Sequence, residues 1–164
     1  MIILMMGVSG AGKTTIGKLL ASTLGWEFAD ADDYHSATNI EKMRSGIPLT
    51  DADRAPWLEK LRDLIASWIG EGKNAVLACS ALKQEYRDFL RIGPEVCIVY
   101  LQATPEVLRQ RLRARRGHFM TEALLTSQLD TLEEPKDAVV IDADGDPEEV
   151  VAKILARLNL AASS

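Results

Sequence analysis

Cysteine and histidine are scarce: two of each occur in 164 residues, and neither type clusters. Cys79 and Cys97 both fall inside strand-like apolar runs, and no further Cys/His spacing accompanies them to support a zinc site or a disulfide framework. Core thiols in a reducing compartment are expected. Positive charge is also short, with 19 Lys and Arg against 24 Asp and Glu for a net charge of −5. That is the wrong sign for nucleic acid, whose binding depends on a basic surface releasing counterions. No run of about 18 apolar residues is present to span a bilayer. The apolar segment at the start has neither a basic leader nor a small-residue cleavage site, so a strand is expected there rather than a signal peptide, and a cytoplasmic protein with no membrane partner. Linkers, low-complexity stretches and internal repeats are missing as well. A single domain over 1–164 is expected, large enough to remove roughly 70% of the unfolded chain's surface from water.

What the chain does have is the octapeptide Gly7-Val8-Ser9-Gly10-Ala11-Gly12-Lys13-Thr14, which fits G-x-x-x-x-G-K-[ST] and follows the apolar run Ile2 to Met6. Apolar spacing at Ile16, Leu19, Leu20 and Leu24 then marks a helix. Strand, glycine turn and helix in this order make a phosphate cradle: the glycines let successive N–H groups turn inward, and the helix directs its positive dipole end at the same point. Lys13 is placed to reach the β/γ-phosphates, and Thr14 to offer a hydroxyl to a magnesium ion bridging them. Thr15 completes the expected ATP contacts.

Strand-like runs at Ile2–Met6, Trp26–Ala29, Ala75–Cys79, Val96–Leu101 and Ala138–Ile141 alternate with helical patterns. This predicts an α/β fold, a parallel five-stranded sheet with helices on both faces. A long helix is expected between Asp51 and Gly70 with Trp57 and Trp68 in the core. Further helices should start at Thr104-Pro105 and Asp146-Pro147, where a capping residue precedes proline. Ligands of such sheets bind beyond the carboxyl ends of the strands. The segments Gly7–Thr14, Asp30–His35, Ser80–Lys83, Gln102–Thr104 and Asp142–Asp146 should therefore share one crevice.

Asp30, Asp32 and Asp33 follow the second strand, and alternation sends Asp30 and Asp32 to one side near the phosphates. One carboxylate can hold magnesium-bound water while the other orients or deprotonates an attacking hydroxyl; on residue type alone the cluster is equally an acidic turn. Arg54, Lys83 and Arg87 lie near the starts of helices, where an anionic substrate end can be clamped. Each is also a common surface charge. The run Arg109, Arg111, Arg113, Arg115, Arg116 breaks at Gly117-His118. That is what a mobile arginine lid over a triphosphate requires, and equally what a solvated basic face looks like.

Taken together these residues resemble the gluconokinases of the shikimate-kinase-like branch of small P-loop kinases. The likeness extends over nearly the whole chain. It rests on Gly7–Thr14, Asp30-Ala31-Asp32, His35, Asn39–Met43, Gly46–Asp51, Asp53-Arg54, Pro56–Leu58, Cys79–Lys83, Tyr86-Arg87, Arg115–Phe119, Leu132-Glu133 and Pro135. It implies ATP:D-gluconate 6-phosphotransferase activity, magnesium as cofactor, and a core-and-lid arrangement like that of nucleoside monophosphate kinases, the lid at about 110–135. By the same resemblance Lys13, Asp32 and Arg115 are catalytic, Asp30 holds magnesium through water beside Thr14, and Arg111 and Arg115 are lid residues, Arg111 also able to lie on the adenine face. Asp32, Arg54, Lys83, Arg87 and His118 contact the sugar acid.

A nucleotide-dependent switch shares the phosphate loop but needs a guanine-specifying N-K-x-D, which the sequence lacks. Kinases for shikimate or a nucleoside monophosphate are the alternatives among enzymes. A homodimer is left open.

Overall fold

The computed structural model describes residues 1–114 and 122–163. Strands β1 (Ile2–Met6), β2 (Glu27–Asp30), β3 (Ala75–Ala78), β4 (Val96–Gln102) and β5 (Val139–Asp142) form a parallel sheet in the order β2-β3-β1-β4-β5. The predicted α/β class and strand number hold. All five β1 side chains are fully buried, because a central parallel strand covered on both faces needs an unbroken apolar run. Alternation divides them. Ile3 and Met5 join the core beneath α1 (Lys13–Leu24) and α7 (Pro147–Leu158), and Ile2, Leu4 and Met6 the core beneath α3 (Asp51–Gly70) and α4 (Gln84–Leu90).

Three strands end on residues that apolar content does not flag. β2 runs to Asp30, β4 to Gln102 and β5 to Asp142, and the ladder pairs Asp30 with Ala78 and Gln102 with Asp142. Polar residues are tolerated there because the carboxyl edge of the sheet opens to solvent. Helices α5 (Pro105–Ala114) and α7 begin at proline as expected, and α3 has the expected bounds. A capping box starts α3: Thr50 Oγ1 accepts from the Asp53 N–H at 3.1 Å and Asp53 accepts from the Thr50 N–H at 2.9 Å. Lys42, on α2 (Ala37–Arg44), holds that carboxylate at 2.9 Å, and these bonds draw its pKa down to about 2. Above the carboxyl edge, Met43, Leu49 and Leu124 form a separate apolar cluster that ties α2 and the entry to α3 to helix α6 (Glu122–Thr131).

Candidate active site

A cleft at the carboxyl edge of the sheet is roofed by Met43, Leu49 and Leu124 and floored by β3 and the phosphate loop. The loop presents its backbone. Val8 and Ala11 bury their side chains in the core. Gly12, with φ 95° and ψ 18°, turns the chain into α1 through a conformation that L side chains rarely adopt. At Gly7 a Cβ would come within 2.9 Å of the Leu101 carbonyl oxygen, so the loop can rest on β4 only without one. The N–H groups at the start of α1 face this turn. Lys13 Nζ donates to the Val8 carbonyl at 3.0 Å, folded back over the loop that it is expected to serve. Ser9 donates its N–H to Gln128 Oε1 of α6 at 2.7 Å. Thr15, expected to contact nucleotide, is exposed on α1.

The Thr14 hydroxyl donates to Asp30 Oδ2 at 2.6 Å, and Asp30 Oδ1 accepts the Asp32 N–H at 2.9 Å. Asp30 and Asp32 thus reach the same cleft, but by a mechanism other than strand alternation. The chain leaves β2 into a 3-10 turn, Ala31–Tyr34, which Asp30 caps. Asp32 is open to water through the cleft mouth and closely surrounded by protein elsewhere. That desolvation, with Asp30 and Asp33 nearby, pushes its carboxyl up to about 6 against the pull of Lys13. Thr14 and Asp30 supply hard oxygen donors of the kind magnesium takes alongside substrate phosphates. Among the described residues no three His, Cys, Asp or Glu side chains group into a metal cage, so the donor set fits an ion that completes its shell with phosphate and water.

Trp57 donates its indole N–H to the Ala31 carbonyl at 2.7 Å, pinning the 3-10 turn to α3. His35 stacks on Trp57 with ring centroids 4.3 Å apart and planes at 11°. Burial, then the neighbouring Arg54 charge, lowers the His35 pKa to about 4, so the ring is neutral at pH 7. Asn39 Nδ2 lies 3.4 Å from Nδ1 and donates to the Asp53 carbonyl at 2.9 Å; with Nδ1 as acceptor, the imidazole proton is on Nε2. Trp57 therefore does more than fill the core. Cys79 also lines the cleft, and burial pushes its thiol up to about 12, which leaves it protonated and unreactive.

Of the three cations expected to clamp an anion, the structure brings one to the cleft wall. Arg54 lines it beside Tyr86, its Nη1 donating to the Tyr86 hydroxyl at 3.2 Å. Lys83 stands outside the lining with its Nζ 2.9 Å from Asp51 Oδ1. The Tyr86 hydroxyl donates to the same Asp51 oxygen. Arg87 departs furthest from expectation. Its side chain is fully buried behind the cleft, Nη1 donating to the Ala81 and Leu82 carbonyls at 2.8 and 3.0 Å and Nη2 to Gln84 Oε1 and the Glu133 carbonyl at 2.9 and 2.7 Å. Its Nε has no partner. Arg87 ties the Ala81–Gln84 turn to the segment after α6; Ala81 there has φ 45°, a rare angle for a residue with a Cβ.

Arg111 donates to the Gly10 and Ala11 carbonyls at 3.1 and 3.3 Å and to Ala143 at 2.6 Å. It joins the phosphate loop to the turn after β5; Gln102–Thr104 and Asp142–Asp146, expected to share the crevice, do not line the cleft. Arg115 and His118 lie outside the described residues. Sequence reading missed Tyr86, Asp51 and Gln128 as cleft-wall or cleft-supporting groups, since their positions depend on how α3, α4 and α6 pack.

The shikimate kinase family profile matches residues 9–159. The chain is 46% identical to a "Probable gluconokinase" of Xenopus tropicalis, over 94% of this chain and 91% of that one. It is 47% identical to the "Thermosensitive gluconokinase" of Escherichia coli K12, over 87% and 79%. A crystal structure of a gluconokinase from Sinorhizobium meliloti 1021 superposes with a TM-score of 0.86 at 41% identity, covering 96% of this chain and 90% of that one.

Proposed function

The chain belongs to the shikimate kinase family and, within it, to the gluconokinases, and we infer that it transfers the γ-phosphoryl group of ATP to the C6 hydroxyl of D-gluconate. The observation that supports this most is the pairing, in one cleft, of a phosphate loop with a carboxylate beside it and an arginine on the far wall. In this reading the loop N–H groups and Lys13 hold the β- and γ-phosphates and offset the charge that builds on the phosphoryl oxygens. Asp32 accepts the C6 hydroxyl proton as the oxygen attacks phosphorus. Its raised pKa suits the task, since a base works best with a pKa near the operating pH. Arg54 takes the carboxylate, and neutral His35 offers Nε2–H to a hydroxyl. Thr14, with Asp30 acting through water, would hold magnesium, which when bound neutralises phosphate charge and orients the γ-phosphate. Arg87 serves by holding the turn at Ser80–Lys83 in place. Arg111 borders the adenine, and the segment at about 110–135, with Arg115 and His118, acts as a lid. Among the described residues no helix is long and apolar enough to cross a membrane; a cytoplasmic location is part of the same proposal.

The test is ADP release from magnesium-ATP with a panel of gluconate, other sugar acids, glucose, shikimate and nucleoside monophosphates. Gluconate should lead. Glucose offers the same C6 hydroxyl but would leave Arg54 unpaired, and a site built around a polar partner rejects analogues lacking it by on the order of 10⁴-fold. A higher specificity constant for shikimate or a nucleotide overturns the reading, and parity with glucose overturns the role of Arg54.

A further inference from the structure

Arg54 does not stand alone on its wall of the cleft. The Tyr86 hydroxyl has one proton and gives it to Asp51, and its oxygen accepts Arg54 Nη1 at 3.2 Å. The chain of bonds therefore runs in one direction, from guanidinium to phenol to carboxylate. Charge is arranged along it as well. Asp51 is bound by Lys83 at 2.9 Å, and the Arg54 and Lys83 cationic groups lie 5.7 and 5.6 Å from the Tyr86 ring centroid, one contact from α3 and one from the start of α4. Tyr86 itself is only 5% exposed, so its hydroxyl position is set by packing of α4 on α3. Burial first, then the bond to Asp51, raises its pKa, and the phenol stays protonated to donate.

Two consequences follow from the chemistry. With one Nη fixed on Tyr86, the plane of the guanidinium is fixed, and its remaining N–H groups keep one orientation, the condition for a bidentate grip on a carboxylate. Asp51 meanwhile offsets the Lys83 charge, so this wall carries a net charge of about +1 where two cations and no anion would give about +2.

We propose that Tyr86 is a positioning and specificity-determining residue, orienting Arg54 for a single carboxylate, and that Asp51 tunes the wall to a monoanionic sugar acid by holding Lys83 in reserve. The proposal rests on the assignment of Arg54 to the substrate carboxylate. Wild-type turnover with gluconate and with glucose, measured in the same assay, tests that assignment separately.

The experiment compares Tyr86→Phe and Asp51→Asn with wild type. Steady-state kinetics are run for gluconate and ATP in turn, with thermal midpoints as the check on folding. Tyr86→Phe removes one oxygen and keeps the ring. It should raise the gluconate KM about tenfold, the scale of one hydrogen bond to a charged group, with the ATP KM within about twofold of wild type and the gluconate-over-glucose preference reduced. Asp51→Asn keeps an acceptor for Tyr86 and frees the Lys83 charge. Its gluconate KM should be equal to or below that of wild type, and inorganic sulfate, a dianion, should inhibit it more strongly in competition with gluconate. An unchanged gluconate KM in Tyr86→Phe overturns the proposal. So does a parallel rise of both KM values with a lowered melting midpoint, which marks Tyr86 as packing only. Equal sulfate inhibition in Asp51→Asn and wild type overturns the tuning role of Asp51.

Discussion

At the nucleotide end of the cleft the lining is loop backbone within Gly7–Thr14 with Lys13 and the Thr14 hydroxyl, the latter bonded to Asp30. At the far end it is the side chains of His35, Arg54 and Tyr86, drawn from the turn after β2, from α3 and from α4. The first end is local: glycine and the strand–turn–helix order create it, and Val8 and Ala11 anchor it by burying their side chains in the core. The second end is assembled by packing, and each of its side chains leans on a partner behind it: His35 on Trp57 and Asn39, and Arg54 on Tyr86 and Asp51. Substitutions should therefore act abruptly at the nucleotide end and in graded fashion at the other.

The largest effect is expected from Lys13→Ala. Loss of a charge that offsets the transferring phosphoryl group should raise the barrier by about 3 kcal/mol or more, a fall of roughly 10²-fold or beyond in kcat/KM. Lys13 is half-buried at the cleft and not in the core, so the thermal midpoint should stay near that of wild type. Turnover within a few-fold of wild type in the folded variant would remove the nucleotide end from the mechanism.

Asp32→Asn comes next and tests the junction between the two ends. A general base typically supplies 10²- to 10⁴-fold, so kcat should drop by about 10² with ATP affinity little changed. In the wild type the carboxylate is the working form. Because its pKa is pushed up to about 6, kcat/KM for gluconate should fall about tenfold per pH unit below that value. A flat profile between pH 7 and 5 breaks the assignment.

The far end is sharpened by a pair of substitutions, Arg54→Gln and Arg87→Gln. Arg54 faces the cleft, and its loss removes the whole grip on the carboxylate, so the gluconate KM should rise by about 10²-fold or more while the melting midpoint holds. Arg87 is fully buried on four acceptors, and its loss leaves carbonyls without donors, so the midpoint should fall by several degrees. Its gluconate-over-glucose ratio should move less than that of Arg54→Gln. The reverse pattern would return Arg87 to the substrate.

Arg54 and Arg87 also show what the sequence discloses. Both are arginines near helix starts, and nothing in residue type or spacing distinguishes the one on the cleft wall from the one behind it. The difference comes from α4 packing on α3 and from the chain after α6 closing over the Ala81–Gln84 turn. The phosphate loop, by contrast, is read directly, because eight neighbouring residues hold its whole geometry. Five strands were legible from apolar runs, and three of them run one residue past those runs, because Asp30, Gln102 and Asp142 complete the ladder with polar side chains. Asp30 and Asp32 were expected in the cleft through strand alternation. Asp30 reaches it from the end of β2 and Asp32 through the 3-10 turn that Asp30 caps, a case where short-range bonding of an aspartate replaces the strand period.

The smallest effect concerns stability between pH 6.5 and 4, where Asp32 at the junction and His35 at the far end act in opposite senses. Asp32 has a folded pKa of about 6, above its ordinary 3.8. The folded state binds its proton first, so acidification through this range favours folding, and the gain disappears as pH rises past 6. His35 is the mirror case, with a folded pKa of about 4 below its ordinary 6.5. Its contribution is present above 6.5 and lost as pH falls toward 4. Both groups are open to water in part, so each effect is modest, and in the wild type they largely offset one another. Asp53, held down to about 2, loses its contribution only below 3.8 and stays out of this window. Asp32→Asn removes the favourable half alone. Its thermal midpoint should therefore drop more steeply than that of the wild type between pH 6.5 and 4, by a few degrees, and His35→Gln, which leaves the Asp32 half alone, should make the midpoint rise relative to wild type as pH falls through the same range. Parallel curves for the three proteins would show that Asp32 and His35 are not set against each other in charge.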